Sequence, residues 1–273
     1  MINSKMMISR KINRKSIFII YLVLVLSGCS SVQKAELNEA ENLKAKELLT
    51  AISEINNESP GTISSAFNAD GNTGEKKFRV EGQVAYNKKG YYRIVVLDYI
   101  FQSPVLEAFR ELDRLYFYYP ADKVLFVDDV HKIDLSKYSG FKVEYNLLYS
   151  LFTGGIPLID GYSVYKCLYD ENDKGYNLIL QNGEFFQNIF FKDNVPEKIL
   201  FIHKLSRSKA EVYLKSIVRK DKSIFYKKIR IVVPELNISI NVNFPKPVIN
   251  SSIKIEKFNQ EKIPKKVEVV VVN

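Results

Sequence analysis

The chain has 273 residues and a formal net charge of +9, with 17 Phe, 17 Tyr and no Trp. Five of the positive charges fall within the first 28 residues, which leaves a net charge of only +4 on residues 29–273. Basic and acidic residues are interspersed along that remainder, as on an ordinary solvated surface, so the charge does not indicate a nucleic-acid partner. Its 245 residues are enough for one sizeable hydrophobic core.

The first 28 residues have the three parts of a secretion signal. A cationic segment precedes the apolar stretch from Ile17 to Leu26, which is too short for a membrane-spanning helix of about 20 residues. The tetrapeptide Leu26-Ser27-Gly28-Cys29 then matches the lipobox of bacterial lipoproteins. We therefore expect cleavage after Gly28, covalent lipid on Cys29 and a lipidated tether over residues 29–35. The alternative is a retained N-terminal helix with an incidental cysteine.

The residue after Cys29 helps to predict the membrane to which the lipoprotein is delivered. It is Ser30 rather than Asp. By resemblance to the enterobacterial sorting rule, this favours delivery to the outer membrane, facing the periplasm. Acylation of Cys29 would also leave Cys167 without a partner for an internal disulfide. Stability then has to come from burial of apolar surface.

A long amphipathic helix is predicted after the tether, from about Glu36 to Ile55. Its apolar stripe consists of Leu37, Ala40, Leu48, Ala51, Ile52 and Ile55, with Leu43 at the edge. Asn56-Asn57 and the breaker Pro60-Gly61 end it. We expect residues 68–75 to form a polar loop.

From Phe78 onwards the apolar period changes from helical to two, which predicts strands. Phe78–Tyr86 and Tyr91–Leu97 are joined by a hairpin at Lys88-Lys89-Gly90. Further strands are predicted at Val105–Glu111, Leu115–Tyr119, Lys123–Asp128, Ser163–Tyr169, Tyr176–Gln181, Phe185–Phe191, Lys198–Leu205, Ala210–Val218, Ile224–Val232 and Asn237–Phe244, with a possible last strand at the C-terminus. Short connections between them indicate antiparallel neighbours in a meander.

A second, short helix interrupts the strands at residues 143–152. Its stripe consists of Val143, Leu147, Leu148, Leu151 and Phe152, and Gly154-Gly155-Ile156-Pro157 ends it. Two helices are too few to cover both faces of a large sheet. We predict a mainly β (α+β) fold, a strongly curved antiparallel sheet of about 11 strands with both helices against its concave face. Such a sheet can enclose a ligand cavity.

Residues with potential catalytic or metal chemistry form no recognisable motif. The two histidines, His131 and His203, lie apart from any metal-ligand spacing, and Asp128-Asp129-Val130-His131 is typical of a solvated turn. There is no G-x-S-x-G elbow, no H-E-x-x-H and no phosphate-binding glycine loop. We expect neither an enzyme nor a bound metal, and no cofactor apart from the lipid. The basic stretches Arg207–Lys209 and Arg219–Lys222 are either solvated turns or contacts to anionic headgroups.

The order of the motifs resembles a known family. Gly90-Tyr91-Tyr92-Arg93 is followed by Ser103-Pro104, by Asp113-Arg114-Leu115-Tyr116-Phe117-Tyr118-Tyr119-Pro120, and by the helix ending at Gly154 to Pro157. This order resembles the lipoprotein-localisation factors, the LolA carriers and the membrane-anchored LolB receptors. The sequence contains no internal repeat and no low-complexity linker, so we expect one domain over residues 36–273. The resemblance implies an unclosed β-barrel with a helical lid. Its apolar cavity would receive the acyl chains of lipoproteins crossing the periplasm.

The resemblance also implies roles for individual residues. Arg93 matches a strand arginine that helps to control lid opening, and Tyr118 belongs to the aromatic hairpin. Leu147, Leu148 and Leu151 would face the ligand from the short helix. Tyr99, Ile100 and Phe101 match a protruding apolar loop that faces the membrane.

Two functional hypotheses follow. The first is a membrane-anchored, non-enzymatic lipoprotein that receives or carries acylated lipoproteins or other lipid, working with a periplasmic carrier or another envelope protein. The second is a structural lipoprotein that uses the same fold as a scaffold for an envelope complex, with its aromatic residues filling a closed core. The family resemblance makes the first the leading hypothesis.

Overall fold

A single large sheet dominates the computed structural model, which describes residues 37–133, 145–253 and 267–272. The predicted signal, Cys29, the tether and Val143 lie outside the described residues. The described strands are β1 Thr62–Thr73, β2 Lys77–Asn87, β3 Tyr91–Asp98, β4 Pro104–Glu111, β5 Arg114–Tyr119, β6 Val124–Asp129, β7 Ser163–Asp170, β8 Gly175–Gln181, β9 Phe185–Lys192, β10 Val195–His203, β11 Lys209–Lys220, β12 Ser223–Val233, β13 Ile238–Asn243, β14 Val248–Ile249 and β15 Glu268–Val271. The helices are α1 Glu39–Asn57, α2 Tyr145–Phe152 and a 3-10 turn at Pro234–Leu236.

The sheet consists of two antiparallel meanders joined at its centre. The strand order is β15-β6-β5-β4-β3-β2-β1-β13-β12-β11-β10-β9-β8-β7, and β14 pairs separately with β1. The meanders meet where Asn68 to Thr73 of β1 pair with β13. The two outermost strands of this path, β7 and β15, are not paired with each other, so the curved sheet is unclosed. The predicted fold class is confirmed, with 15 described strands where about 11 were expected.

Two strands that the sequence did not predict, β1 and β14, lie where its pattern is weakest. The predicted polar loop at residues 68–75 is wrong, because residues 68–73 belong to the central strand β1. The inward positions of β1 include Ser65, Ala69 and Gly71, which are too small to give a clear apolar alternation. A side chain at Gly71 would meet the carbonyl oxygen of Ser239. β14 has only two residues. β15 lies where the sequence indicates a possible last strand, and it pairs in parallel with β6.

Helix α1 begins with a capping box, in which Asn38 Oδ1 accepts from the Glu41 amide at 2.8 Å and Glu41 Oε2 accepts from the Asn38 amide at 3.2 Å. The helix buries Ala45, Leu48 and Ile52 and packs along β7. The predicted stripe is therefore correct at Leu48 and Ile52. It is wrong at Ala40, which is exposed, while Ala45 is buried.

The core lies on one face of the sheet. Both helices pack against that face, and buried residues from both meanders, such as Phe67, Leu115, Leu178 and Phe225, belong to one hydrophobic cluster. A small second cluster of Phe109, Tyr118 and Leu125 is separate from it. From Leu37 onwards the chain forms one compact unit with its own core.

Candidate hydrophobic-ligand site

A cavity of about 450 Å³ lies between α2 and the second meander. Its apolar lining comes from α2, from strands β9 to β12 and from the segment after α2, and its polar lining comes from two turns at one end. The lining residues are Leu147, Leu148, Leu151, Ile159, Asp160, Gly161, Asn182, Gly183, Glu184, Phe185, Phe201, Ala210, Val212 and Ile231. The space is therefore an apolar pocket with a polar mouth.

The cavity exists because small inward side chains of the sheet face large ones on the helix. The three leucines predicted on the short helix, Leu147, Leu148 and Leu151, fall on one side of α2 and all line the space. Opposite them, β11 contributes Ala210 and Val212 at alternate positions of the strand. The side chain of Ala210 is too short to reach the leucines of α2, so a space remains between the strand and the helix. The predicted leucines are thus brought together at one apolar wall.

The segment after α2 is fixed by two side-chain amides. Asn56, in the last turn of α1, donates to the Ile156 carbonyl at 3.0 Å and accepts from the Ile156 amide at 2.7 Å. Gln187 is fully buried; it donates to the Pro157 carbonyl at 2.7 Å and accepts from the Ile159 amide at 3.0 Å. These four bonds satisfy backbone groups that would otherwise be buried without partners. The C-terminal end of the helix is therefore anchored on both sides.

A glycine makes the sharp exit from α2 possible. Gly154 has a φ of +87°, a left-handed conformation that other residues adopt at a cost. A Cβ there would also lie 3.0 Å from the Ile224 carbonyl oxygen and 3.0 Å from Pro60. The predicted helix stop is confirmed, and it places the anchored segment directly over the sheet.

The face of α2 towards the first meander carries a cluster of tyrosines around one arginine. Tyr149 lies 5.9 Å from Tyr86 and 6.0 Å from Tyr92 between ring centroids, and 5.7 Å from Tyr145. The guanidinium carbon of Arg110 lies 5.0 Å from the centre of the Tyr149 ring. Such contacts stabilise by about 0.5–2 kcal/mol. Sequence reasoning missed this cluster, because Arg110 appears there only as an ordinary strand residue.

Burial dominates the electrostatics of this cluster. It raises the pKa of Tyr86, Tyr92, Tyr145 and Tyr149, and the Arg110 guanidinium partly opposes the shift at each ring. The rings therefore stay neutral at physiological pH. They act as packing surface for α2 rather than as acids.

The predicted lid arginine lies elsewhere. Arg93 pairs in register with Phe109, a member of the second cluster, whereas its neighbour Tyr92 belongs to the main core. Because successive strand residues face opposite sides, Arg93 lies on the face opposite to the helices, where it forms an ion pair with Glu107. Tyr118 lies on the same face. Neither lines the cavity, and their roles in ligand control remain predictions.

Comparison with known proteins supports the fold. No protein-family model and no curated protein matches the sequence. Among solved structures, an outer membrane lipoprotein-sorting protein domain from Vibrio parahaemolyticus matches with a TM-score of 0.55 at 10% identity, over 80% of this chain and 99% of that chain. A LolA superfamily protein from Nitrosomonas europaea matches with a TM-score of 0.54 at 7% identity, over 78% and 98%. The chain has a LolA-like fold.

A third match shows how widely this fold occurs. A DUF1329 family protein from Desulfovibrio piger has a TM-score of 0.54 at 10% identity, over 81% of this chain and 98% of that chain. At these identities the likeness concerns the arrangement of strands and helices. The LolA-like fold therefore positions the cavity, and its use has to be argued from the cavity itself.

The predicted membrane-facing loop is an ordered turn of the LolA-like fold. Ile100 and Phe101 are 77% and 80% exposed, and Tyr99 is 41% exposed beneath the Arg79 guanidinium, which lies 4.2 Å from its ring centre. The Asp98 carboxylate accepts from the amides of Ile100 at 2.9 Å and Phe101 at 2.7 Å. The turn thus holds two apolar side chains out in solvent. Its contact with a membrane remains a prediction.

The remaining polar residues named in the sequence analysis form hydrogen bonds within turns of the protein. Asp129 Oδ1 accepts from the His131 amide at 2.8 Å within a turn, and His203 Nδ1 lies 2.9 Å from the Ser206 hydroxyl. Cys167 is buried as expected. Within the described ranges no three or more His, Cys, Asp or Glu side chains gather as a metal site would require. No helix in the same ranges is long and apolar enough to cross a membrane.

Proposed function

We propose that this protein is a membrane-anchored, non-enzymatic lipoprotein that binds acyl chains of lipoproteins or other lipid beneath α2. The observation that carries this proposal is the cavity of about 450 Å³ walled by Leu147, Leu148 and Leu151. Its volume lies within the range of about 300–1,000 Å³ of typical ligand pockets. The lining favours an apolar ligand, because its polar groups are confined to one end.

The chemistry of an acyl chain fits such a site. A hydrocarbon chain offers no group for a hydrogen bond, so affinity has to come from burial of its methylenes at about 0.8 kcal/mol each. The polar mouth, with Asp160, Asn182 and Glu184, suits the glyceryl or peptide end of an acylated ligand. The ligand would enter with its tail towards the leucines of α2.

The membrane anchor and the location rest on the sequence. Lipid on Cys29 would hold the protein to the membrane through the tether, and Ser30 favours the periplasmic face of the outer membrane. The fold supports an envelope role, since one matching structure is an outer membrane lipoprotein-sorting domain. In this setting the protein would receive its ligand from a periplasmic carrier or pass it to another envelope protein.

Access to the cavity would depend on α2, which forms its wall. The helix is tied down at its C-terminal end through Asn56 and Gln187. Towards the first meander it rests on rings and on Arg110. Leaving a buried backbone group without its partner costs about 1–3 kcal/mol, whereas a ring contact stabilises by about 0.5–2 kcal/mol, so the ring side of α2 is the easier one to release. We assign control of the lid to Arg110 and its tyrosine neighbours.

Dye displacement on a soluble chain tests the proposal. A chain starting at Ser30 and purified without detergent keeps the compact unit that begins at Leu37. We expect it to take up a hydrophobic fluorescent dye and to release it when a triacylated lipopeptide is added. Ala210→Trp fills the cavity and should abolish saturable uptake. Ala66→Trp places the same ring on an exposed position of β1 and should leave uptake unchanged.

Two results would overturn the proposal. One is absence of dye and lipopeptide binding by the folded wild-type chain, which would favour the alternative scaffold role and a search for a protein partner. The other is dye uptake by Ala210→Trp equal to that of the wild type and of Ala66→Trp. That result would show that the dye binds outside the cavity.

A further inference from the structure

The turn between β10 and β11 presents a leucine to solvent at the cavity mouth. Leu205 is 89% exposed, the highest value among the large apolar side chains that the structure describes. We propose that this turn, residues 204–208, docks on a lipid bilayer that carries anionic headgroups. The inference rests on the proposed lipid-binding function. It identifies the part of the protein that would contact the bilayer while an acyl chain moves between bilayer and cavity.

The turn is built to hold Leu205 outwards. The His203 amide donates to the Ser208 carbonyl at 3.0 Å, and the Arg207 amide donates to the His203 carbonyl at 2.9 Å. The Ser206 hydroxyl lies 2.9 Å from His203 Nδ1 and 2.7 Å from the Ser208 hydroxyl. Because these bonds already order the turn, little conformational entropy is left to be lost when the leucine enters a membrane.

The charge of the turn is complementary to anionic lipid. Arg207 and Lys209 are exposed cations close to Leu205, and the segment from His203 to Lys209 contains no carboxylate. Each basic residue near an anionic membrane surface contributes about 1 kcal/mol of attraction. An apolar tip between cations matches the layering of a bilayer, in which headgroup charge surrounds a hydrocarbon interior. A water-soluble anionic partner would not require the exposed leucine.

Hydrogen bonds place the turn beside the cavity mouth. The Lys204 amide donates to the Glu184 carbonyl at 2.8 Å, and Lys204 Nζ donates to the Asn182 carbonyl at 2.5 Å. Asn182 and Glu184 both line the polar end of the cavity. A membrane in contact with Leu205 would therefore adjoin the opening through which an acyl chain enters. The chain could then leave the bilayer without crossing open water.

Strand register places the apolar loop at Ile100 and Phe101 on the same rim of the sheet. His203 ends β10 and Val233 ends β12, where it pairs with Ile238. Ile238 also pairs with Thr73, the last residue of β1, so the end of β1 lies on this rim. The next strand, β2, starts on the same rim and pairs there with Asp98 at the end of β3, two residues before Ile100. Leu112, by contrast, lies in the β4–β5 turn at the opposite rim, 58% exposed. Substitution of Leu205 at one rim and of Leu112 at the other therefore compares the membrane binding of the two rims.

Vesicle binding tests the inference on the chain starting at Ser30, which lacks the lipid anchor. Co-sedimentation with vesicles of phosphatidylethanolamine and phosphatidylglycerol should fall by about tenfold in Leu205→Ser, since the membrane no longer buries an apolar side chain. Leu112→Ser should bind as the wild type does. Equal binding of Leu205→Ser and wild type, or equal loss in both variants, would overturn the inference. So would failure of the wild type to bind these vesicles.

A second measurement reports insertion directly. Leu205→Cys and Leu112→Cys, each labelled with an environment-sensitive dye, should differ on addition of vesicles, with a blue shift only at residue 205. A shift at residue 112 alone would overturn the inference.

The failure of this inference and of the proposed function are distinguishable. Ala210→Trp should lose lipopeptide binding and keep vesicle binding. Leu205→Ser should keep lipopeptide binding in solution. If the wild type binds vesicles through Leu205 but takes up no lipopeptide, the docking surface stands and the cavity proposal fails.

Discussion

The side-chain amide of Asn56 pairs with both backbone groups of Ile156, across 100 residues of sequence. This pair joins the end of α1 to the segment that leaves α2. Together with Gln187, it holds the cavity wall at a fixed height above the sheet. The space beneath α2 therefore depends on two amides that do not line it.

Asn56→Ala removes both bonds and leaves the amide and carbonyl of Ile156 without these partners. We expect a loss of about 1–3 kcal/mol in the free energy of unfolding, because the site is partly buried. Urea unfolding of the soluble chain measures it through the midpoint concentration. Asn57→Ala is the matched control, since Asn57 is exposed and its amide makes only a 3.4 Å contact with Ser53. An equal loss in both variants would contradict this account.

Replacement of Arg110 tests control of the lid. Arg110→Met removes the cation from the Tyr149 ring, so α2 should open more readily. We expect bound dye to dissociate several-fold faster, because loss of the cation–π contact removes about 1 kcal/mol of stabilisation from the closed position of α2. Stopped-flow displacement measures this rate.

The matched variant for that experiment is Arg93→Met combined with Glu107→Met, which replaces the ion pair on the opposite face by apolar side chains. We expect its dissociation rate to equal that of the wild type. Faster dissociation in this variant, with no change in Arg110→Met, would return control of the lid to the arginine that the family resemblance implies.

Buried tyrosines make the fold sensitive to alkali. Burial raises the pKa of Tyr86, Tyr92 and Tyr226 above the value of about 10 in the unfolded chain. Between the two values the folded state keeps protons that the unfolded state has lost. The stabilisation is therefore complete below about pH 10 and is lost as the pH rises through the folded-state values. Urea midpoints at pH 8 and at about pH 11 should show this loss.

Tyr226→Phe should flatten that pH dependence, since one raised group is removed. At pH 8 it should cost about 1–2 kcal/mol, because the Pro196 carbonyl loses the hydroxyl that donates to it at 2.9 Å. Tyr162→Phe, at a residue that is 39% exposed, serves as the control. An unchanged slope in Tyr226→Phe would show that Tyr226 does not contribute to the alkaline loss.

Cys167 should be inert in the folded protein. Burial raises its pKa to about 11, although nearby Lys44 opposes the shift, so little thiolate exists at pH 8. In a chain that starts at Ser30, we expect a thiol reagent to react slowly until urea unfolds the protein. The thiol introduced by Leu205→Cys provides an exposed comparison. Rapid reaction of Cys167 under native conditions would contradict its burial.

The strands were predictable where each one alternates large apolar residues with polar ones. Phe185–Phe191 and Ile224–Val232 agree with β9 and β12 to within a residue or two. The alternation fails in β1, because its inward positions include serine, alanine and glycine. At Gly71 the small size reflects a close neighbour, since a Cβ there would lie 3.1 Å from the Phe78 ring of the adjacent strand. A pattern of hydrophobicity along one strand contains no information about that neighbour.

The candidate site was predictable in part for the same reason. Leu147, Leu148 and Leu151 form a stripe visible in eight residues of sequence, and they wall the cavity. The partners of α2 come from far along the chain: Asn56, Gln187 and Arg110. Each is a polar residue whose importance arises only when the sheet curves around the helix. The family resemblance alone assigns lid control to Arg93. It does not specify the face of the strand on which that side chain lies.

The lack of pairing between β7 and β15, the outermost of the described strands, has a mechanical consequence. In a closed barrel the circumference is fixed by the number of strands and their stagger, so the interior cannot enlarge without the rupture of a ladder. Here we expect the margins of the sheet to move apart more readily, through small changes in twist between neighbouring strands. On the proposed function, such widening would let the cavity accept acyl chains that differ in length.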